Sequence, residues 1–179
     1  MKKIIYGMAV ALSFSSAVNA ATDQGYGQGQ GQVNFKGVVI DAPCGIDPDS
    51  ADQTIDFGQI SKTHLNKPGI SAKKNVDIKL VNCTLEKASK YVTITFSGSS
   101  LGDGSELGTS GGTGTAIRMS TAAGELVKFD GTTAAGKYNL KDGDNTMRYS
   151  AWVEKASTNT GDVTEGEFAA VANFNLAYQ

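Results

Sequence analysis

The sequence is short of the side chains on which most enzymes and metal sites depend, with one histidine and two cysteines among 179 residues. That leaves little material for a zinc finger, a histidine-rich metal centre or a Ser/His/Asp triad. Basic charge is also scarce. Outside residues 1–20, 14 basic side chains face 18 acidic ones, a net charge of about −4. Proteins that bind nucleic acid usually have basic surfaces, so we expect no nucleic-acid partner. Because catalytic and metal-binding side chains are also scarce, we expect no cofactor and no catalysis.

Long apolar runs are confined to the beginning of the chain. Lys2 and Lys3 precede an apolar stretch that starts at Ile4, and small residues around Ala20 fit the site that a signal peptidase cleaves. A membrane anchor would need about 20 uninterrupted apolar residues, whereas serines interrupt this stretch from Ser13 onward. Residues 1–20 are therefore predicted to be a cleaved secretory signal peptide, and the remaining chain to be one exported domain.

Export decides how the two cysteines are interpreted. In the cytosol Cys44 and Cys83 would remain buried thiols, but an oxidising compartment favours a disulfide between them. A catalytic redox pair would require Cys-x-x-Cys spacing, which these positions do not have. We expect a structural disulfide.

Two glycine-rich segments, residues 24–32 and 108–114, lack apolar periodicity. A phosphate-binding loop needs a preceding strand, a following helix and usually a Lys-Ser/Thr pair, none of which is present. The first segment is predicted to be flexible chain and the second a polar loop.

Acidic clusters at residues 47–52 and 142–145 resemble metal sites superficially. Neither has the twelve-residue spacing of a calcium loop with its closing glutamate, so surface turns are expected and no metal site is predicted. His64 is interpreted as a surface or capping residue, and Trp152, the only tryptophan, as part of the core rather than of a sugar-binding platform.

Most of the remaining chain alternates apolar and polar residues with the period of half-buried strands. No segment has the periodicity of a convincing amphipathic helix, and Asp-Gly pairs at 130–131 and 142–143 predict turns. Seven or so short strands with a disulfide favour an all-β immunoglobulin-like sandwich, with a closed barrel as the alternative. The predicted inward-facing positions are Val76, Ile78, Leu80, Val92, Ile94, Phe96, Ile117, Met119, Leu126, Phe129, Tyr149, Ala151 and Val153.

The strongest alternation lies at the end of the sequence. One parity holds Gly166, Phe168, Ala170, Ala172, Phe174, Leu176 and Tyr178. An immunoglobulin-like sandwich normally has a further strand beside this one. The alternative is an ordinary edge strand, but from Phe168 to Gln179 it has no charge or proline to protect the edge. We expect a strand with an open side.

A second alternating segment comprises Val33, Phe35, Gly37 and Val39. It can be the first strand of its own domain, or a strand donated to the open side of another copy. The donated strand would make a head-to-tail contact, and repetition of that contact makes a filament if no ring closes. Spacing alone leaves both alternatives open.

Several segments together resemble the chaperone-usher pilins, and within that family the rod subunits of the P-pilus type. The resemblance combines a signal peptide, a cysteine pair and an alternating tail with a penultimate tyrosine, and it covers nearly the whole exported chain. It is carried by Gly29–Gly31, Asp41–Cys44, Ser50–Gln59, Leu80–Cys83, Gly111–Ile117 and Val163–Gln179.

The resemblance implies an incomplete immunoglobulin-like sandwich that lacks its final strand and is completed by donor-strand complementation. A periplasmic pilus chaperone would supply a strand first, and at an outer-membrane usher the next subunit's extension would replace it. Residues 21–38 would form the extension and residues 39–179 the pilin domain. Val33, Phe35, Gly37 and Val39 would be donor residues, whereas the acceptor groove and chaperone-binding strand would comprise Gly166, Phe168, Ala170, Ala172, Phe174, Leu176, Tyr178 and Gln179, with the Gln179 carboxylate as an anchor.

The function implied is a structural, non-catalytic subunit of an adhesive surface fimbria. Its partners would be further copies of itself, the chaperone, the usher, and other subunits at the tip and base. Two alternatives are a minor subunit of the tip fibre or an adaptor, and a free exported β-sandwich that binds carbohydrate.

Overall fold

The computed structural model describes residues 31–85 and 91–179. The predicted signal peptide, residues 1–20, and nearly all of the glycine-rich leader lie outside these ranges. None of the described helices is long and apolar enough to cross a membrane. The elements in chain order are β1 (Gly45–Ile46), α1 (Pro48–Ala51), α2 (Lys62–Asn66), β2 (Lys74–Cys83), β3 (Tyr91–Gly98), β4 (Ser100–Leu101), β5 (Glu106–Gly108), β6 (Thr115–Thr121), β7 (Asp130–Asn139), β8 (Gly143–Lys155) and β9 (Ala172–Tyr178).

The larger sheet has six strands in the order β1-β2-β8-β6-β5-β4, and every neighbouring pair is antiparallel. The register pairs Ile78 of β2 with Met147 of β8, and both side chains are 1% exposed. Because successive strand residues point to opposite faces, the alternation read from the sequence places one apolar face inward.

The smaller sheet has the order β7-β3-β9. Its central strand buries Val92, Ile94 and Phe96 completely or nearly so. The Phe96 ring meets the Tyr149 ring of the larger sheet edge-on, with 5.2 Å between centroids. The buried Tyr149 hydroxyl donates a hydrogen bond to the Ala135 carbonyl on β7 at 3.0 Å. The predicted all-β sandwich is confirmed, with its core between the two sheets.

The predicted disulfide joins Cys44 to Cys83, whose Cα atoms lie 4.1 Å apart. It ties the chain just before β1 to the end of β2. Closing a loop with a sequence separation of 39 residues removes about 4 kcal/mol of unfolded-state freedom on the chain-entropy estimate. The disulfide thus holds the start of the domain next to the sandwich.

Two short helices were not expected from the sequence. Both are single turns, four and five residues long, too short to show an amphipathic period. The first begins after Asp47, whose side chain accepts a hydrogen bond from the Asp49 N–H at 3.0 Å. The second buries Leu65 against Val153 and Val163.

The acidic clusters and His64 make local hydrogen bonds, and residues 47–52 contain a short helix where a surface turn was predicted. Asp47 caps α1, and the Asp142 and Asp144 carboxylates accept hydrogen bonds from backbone N–H groups near the end of β2. His64 lies exposed on α2, with its Nε2 atom 3.0 Å from the Ile70 carbonyl. Trp152 is buried on β8, as expected.

Two details of the strand prediction are wrong. Leu126 is 46% exposed, and Val127 fills the core beside Phe129 instead. The Asp130-Gly131 pair does not separate two strands but begins β7, where the pairing with β3 shifts register. The Asp130 carboxylate accepts hydrogen bonds from the Thr132 and Thr133 N–H groups there. The Asp-Gly pair, which is typical of tight turns, is therefore found here at the irregular start of a strand.

A buried ionic network joins three strands of the larger sheet. Glu106 is 1% exposed, and its carboxylate lies 2.7 Å from the Arg118 guanidinium, which also contacts Glu154 at 2.6 Å. The Ser157 N–H and hydroxyl donate to the second Glu106 oxygen at 3.0 and 2.8 Å. Burial alone would raise the pKa of Glu106, but the hydrogen bonds from Ser157 and Arg118 hold that pKa below its ordinary value.

This network predicts a specific acid sensitivity. A carboxylate with a lowered folded-state pKa stabilises the fold above its unfolded-state pKa of about 4.3, and this contribution is lost as the pH falls through the folded-state pKa. Glu106→Gln should lower the unfolding free energy at neutral pH by about 1.5 to 3 kcal/mol, and should make the acid loss of stability less steep. Urea denaturation over a pH series measures both. Glu125→Gln, at an exposed position, is the control, and an equal change in both variants would contradict the assignment.

Candidate strand-binding groove

Strand β9 has a neighbour on one side only within the described part of the chain. It pairs with β3 from Ala172 to Tyr178. Just beyond it, Gln179 and Tyr91 exchange both backbone hydrogen bonds, at 3.0 and 2.9 Å. In an antiparallel pair such residues alternate. Odd-numbered residues of β9 therefore direct their N–H and C=O groups to β3, and even-numbered residues direct theirs to the open edge.

An apolar groove adjoins this open edge. Its cavity has a volume of about 760 Å³ and lies between residues 50–57 and residues 168–174. The floor is formed by side chains from both sheets, including Ile78, Phe96, Met119 and Ala151. The groove beside β9 thus reaches side chains of the sandwich core, although these are at most 5% exposed.

The groove continues into a second cavity of about 1060 Å³, which shares Thr54, Ile55, Phe57 and Phe168 with the first. Its outer rim is more polar. Lys62 and Glu165 form an exposed ion pair there at 2.5 Å, and the hydrogen bond from Lys62 lowers the pKa of Glu165. Together the two cavities are lined by the continuous segment of residues 163–174, which suits an extended peptide better than a compact small molecule.

The predicted acceptor residues occupy four kinds of position. Phe168, Ala170, Ala172 and Phe174 line the apolar cavity, and Gly166 lines the polar one. Leu176 and Tyr178 line neither cavity and pack against the core beside them, where burial raises the pKa of Tyr178. Gln179 is bonded to Tyr91, through the backbone and through a 2.7 Å side-chain hydrogen bond.

The predicted strand is longer than the observed one. Alternation begins at Gly166, but β9 begins at Ala172, and residues 167–171 belong to neither helix nor strand. Their even-numbered side chains, Phe168 and Ala170, nevertheless remain half-buried. The side-chain pattern is thus that of a strand, although the neighbour that would complete the ladder is not part of the described domain.

Sequence reasoning missed the opposite wall of the groove. Residues 53–60 belong to no strand, yet Gln53, Ile55 and Phe57 are half-buried and alternate with exposed residues. The Phe57 ring lies 6.5 Å from the Phe168 ring across the groove. The alternation of Ile55 and Phe57 could have indicated this wall, but it is only three positions long.

Residues 31–44 contain neither helix nor strand. Val33, Phe35 and Val39, which share one parity, are 74%, 91% and 101% exposed, and a Cβ atom added at Gly37 would meet nothing within 4 Å. The boundary between the two units of the chain falls between Val38 and Val39. The alternating segment thus has its apolar side chains in solvent, and it is not the first strand of a sheet in this structure.

Known proteins are similar to this chain in both fold and sequence. A family model described as fimbrial protein matches residues 33–179. The PRS fimbrial major pilin protein of Escherichia coli is 55% identical over 157 residues, which cover 85% of this chain and 96% of that relative. The crystal structure of the P pilus rod subunit PapA matches with a TM-score of 0.72 at 46% identity, covering 77% of this chain and 100% of that one. A subunit from the structure of a chaperone-usher pilus matches with a TM-score of 0.78 at 48% identity, covering 85% and 97%.

The fold therefore defines a structural subunit of a surface organelle. The chain belongs to the fimbrial protein family. The resemblance read from the sequence is confirmed, as are the immunoglobulin-like class, the structural role and the location in an extracellular fimbria.

Proposed function

We propose that this chain is a shaft subunit that polymerises by donor-strand exchange. Residues 33–39 of one copy would fill the groove between residues 53–57 and β9 of the next copy. The observation that carries the proposal is the open edge of β9 beside an apolar cavity lined by core side chains. The same chain carries an alternating segment whose apolar side chains are all in solvent.

The side chains of the two partners are complementary in size. Val33, Phe35 and Val39 would enter the groove, where the small Ala170 and Ala172 leave space. Burying these three side chains at about 1.5 to 3 kcal/mol each stabilises the contact by roughly 5 to 9 kcal/mol. That is comparable to the whole stability of an ordinary domain, about 5 to 15 kcal/mol. An unfilled subunit would be correspondingly marginal.

The proposed contact is heterologous, because the donor segment and the groove are different surfaces of the same molecule. A contact of this kind leaves one free groove and one free donor at the two ends of any chain of subunits. Repetition then extends a filament unless the geometry closes a ring. This supports a homopolymeric shaft in which each subunit completes its neighbour.

Export leaves an interval in which the groove must be filled by another strand. We infer that a periplasmic chaperone pairs with the open edge of β9, with Gln179 near its anchor point, and that an outer-membrane usher catalyses the exchange. Support comes from the groove itself, and from the similarity to a subunit of a chaperone-usher pilus. Subunits at the tip and base of the fimbria would use the same type of contact.

The direct test uses the complex of this chain and its chaperone, expressed without residues 21–39 so that copies cannot polymerise. A labelled peptide of residues 32–41 should displace the chaperone and remain bound. Phe35→Ser in the peptide should weaken binding about tenfold to a hundredfold, since it removes the largest buried side chain. Lys36→Ser, at a position of the opposite parity, should change binding little.

Fluorescence anisotropy during displacement measures both effects. If the wild-type peptide does not bind, or if the Phe35 and Lys36 variants bind equally, residues 33–39 are not the donor strand.

A further inference from the structure

The glycine-rich loop between β5 and β6, residues 109–114, is an ordered part of the domain. Thr113 and Thr115 are 3% and 4% exposed, and their hydroxyl oxygens lie 2.8 Å apart. Thr109 donates from its hydroxyl to the Thr115 carbonyl at 2.8 Å. Hydrogen bonds among three threonines, Thr109, Thr113 and Thr115, therefore stabilise one conformation of the loop.

The outer side of this loop is hydrogen-bonded to the wall of the groove at two places. The Thr164 N–H donates to the Thr113 carbonyl at 3.0 Å, and the Thr164 hydroxyl to the Gly112 carbonyl at 3.0 Å. Five residues further along, the Ala169 carbonyl accepts from the Ser110 N–H at 2.8 Å and from its hydroxyl at 3.1 Å. Residues 164–169 are thus fastened at both ends to a loop that is itself rigid.

Beyond the end of β3, the loop instead of β3 supplies the hydrogen-bond partner of the segment that precedes β9. The pairing of β3 with β9 ends at Gly98 and Ala172. Ala169 has the parity of the β9 residues that bond to β3, so its carbonyl faces the side away from the open edge. The loop therefore supports the wall from behind and leaves the groove edge free for an incoming strand.

We propose that the β5–β6 loop is a positioning element that holds residues 164–170 in place, so that the groove wall is preformed for its strand. The inference rests on the proposed donor-strand function and names Gly111 as its most sensitive position. A Cβ atom at Gly111 would lie 2.0 Å from the Glu167 carbonyl oxygen, so any larger residue must push the wall toward the groove. Preformed walls raise affinity because the ordering cost is not incurred at binding.

The neighbouring glycine supplies a matched control. Gly111 and Gly112 both have left-handed backbones, with φ of +89° and +69°, but a Cβ atom at Gly112 would meet nothing within 4 Å. Gly111→Ala and Gly112→Ala therefore introduce the same kind of backbone strain into the same loop. Only the first also displaces the groove wall.

The test compares both variants in the chaperone complex that lacks residues 21–39, by hydrogen exchange and by binding of the labelled peptide of residues 32–41. Gly111→Ala should bind the peptide at least tenfold more weakly than Gly112→Ala. It should also raise amide exchange in residues 164–171 without raising it in β3. If Gly111→Ala yields no protein, Thr164→Val, which removes the hydroxyl bond to Gly112, should raise exchange over the same residues.

The outcomes separate the two proposals. If the wild-type domain does not bind the peptide, the donor-strand function fails, and the exchange comparison still decides whether the loop holds the wall. If the wild type binds and the two alanine variants bind and exchange alike, the positioning role is overturned.

Discussion

Gly37→Arg is expected to abolish incorporation of the chain into fibres while leaving its chaperone complex intact. Gly37 shares its parity with Val33, Phe35 and Val39, so a side chain at this position would point into the groove with them. In the proposed acceptor groove, the small residues Ala170 and Ala172 leave limited space for an incoming side chain. A long charged side chain would either clash or be buried without a partner, at a cost of several kcal/mol. Gly37→Arg should therefore prevent the segment from acting as a donor strand without affecting the groove that the chaperone binds.

The measurement is the yield of heat-dissociable polymers on cells, together with the yield of chaperone complex in the periplasm. Asn34→Arg is the matched control, because the same arginine then stands on the opposite parity and points away from the groove. It should assemble normally. Wild-type amounts of fibre from Gly37→Arg, or equal loss from both variants, would contradict the donor assignment.

The fold could be predicted well from period-two alternation where a strand has one buried face. Ile78, Val92, Ile94 and Tyr149 are all buried as expected, because their strands face the core on one side only. The alternation gave a wrong prediction at Leu126, which forms only an isolated β-bridge with Ser120. It was also wrong at Asp130-Gly131, where the pairing of β7 with β3 shifts register. It also missed both helices, since a single turn has no period to detect.

The candidate site could be predicted only in part. The C-terminal segment, residues 166–178, could be predicted as one wall of the groove because its alternation of apolar residues extends over many positions. The opposite wall at residues 53–57, the floor, and the supporting loop come from segments far apart in sequence. From the sequence, the glycine-rich residues 111–114 were predicted only to be a polar loop. Their proposed supporting role depends on contacts with Glu167 and Thr164, which are distant in sequence and come together only in the fold.

Deletion of residues 174–179 should eliminate the soluble subunit altogether, rather than only its assembly. The deleted segment comprises most of β9, whose Phe174 ring lies 6.4 Å from Phe96 and whose Leu176 and Tyr178 pack against the core. Because these three side chains are half-buried, losing them removes roughly 2 to 5 kcal/mol of apolar burial, about half the value for full burial. It also leaves β3, with the fully buried Val92 and Ile94, as a bare edge. The chaperone strand would then have nothing to pair with.

Periplasmic extracts measure this outcome through the amounts of subunit and of subunit–chaperone complex, with and without the periplasmic protease active. Deletion of residues 31–39 is the control, because it removes the proposed donor and keeps the groove. That variant should accumulate as a soluble chaperone complex and form no fibres. The two deletions thus separate the two halves of one contact: loss of the acceptor strand destroys the subunit, whereas loss of the donor only stops the polymer. A stable, soluble monomer lacking residues 174–179 would show that β9 is dispensable for folding, and the incomplete-sandwich interpretation would then be wrong.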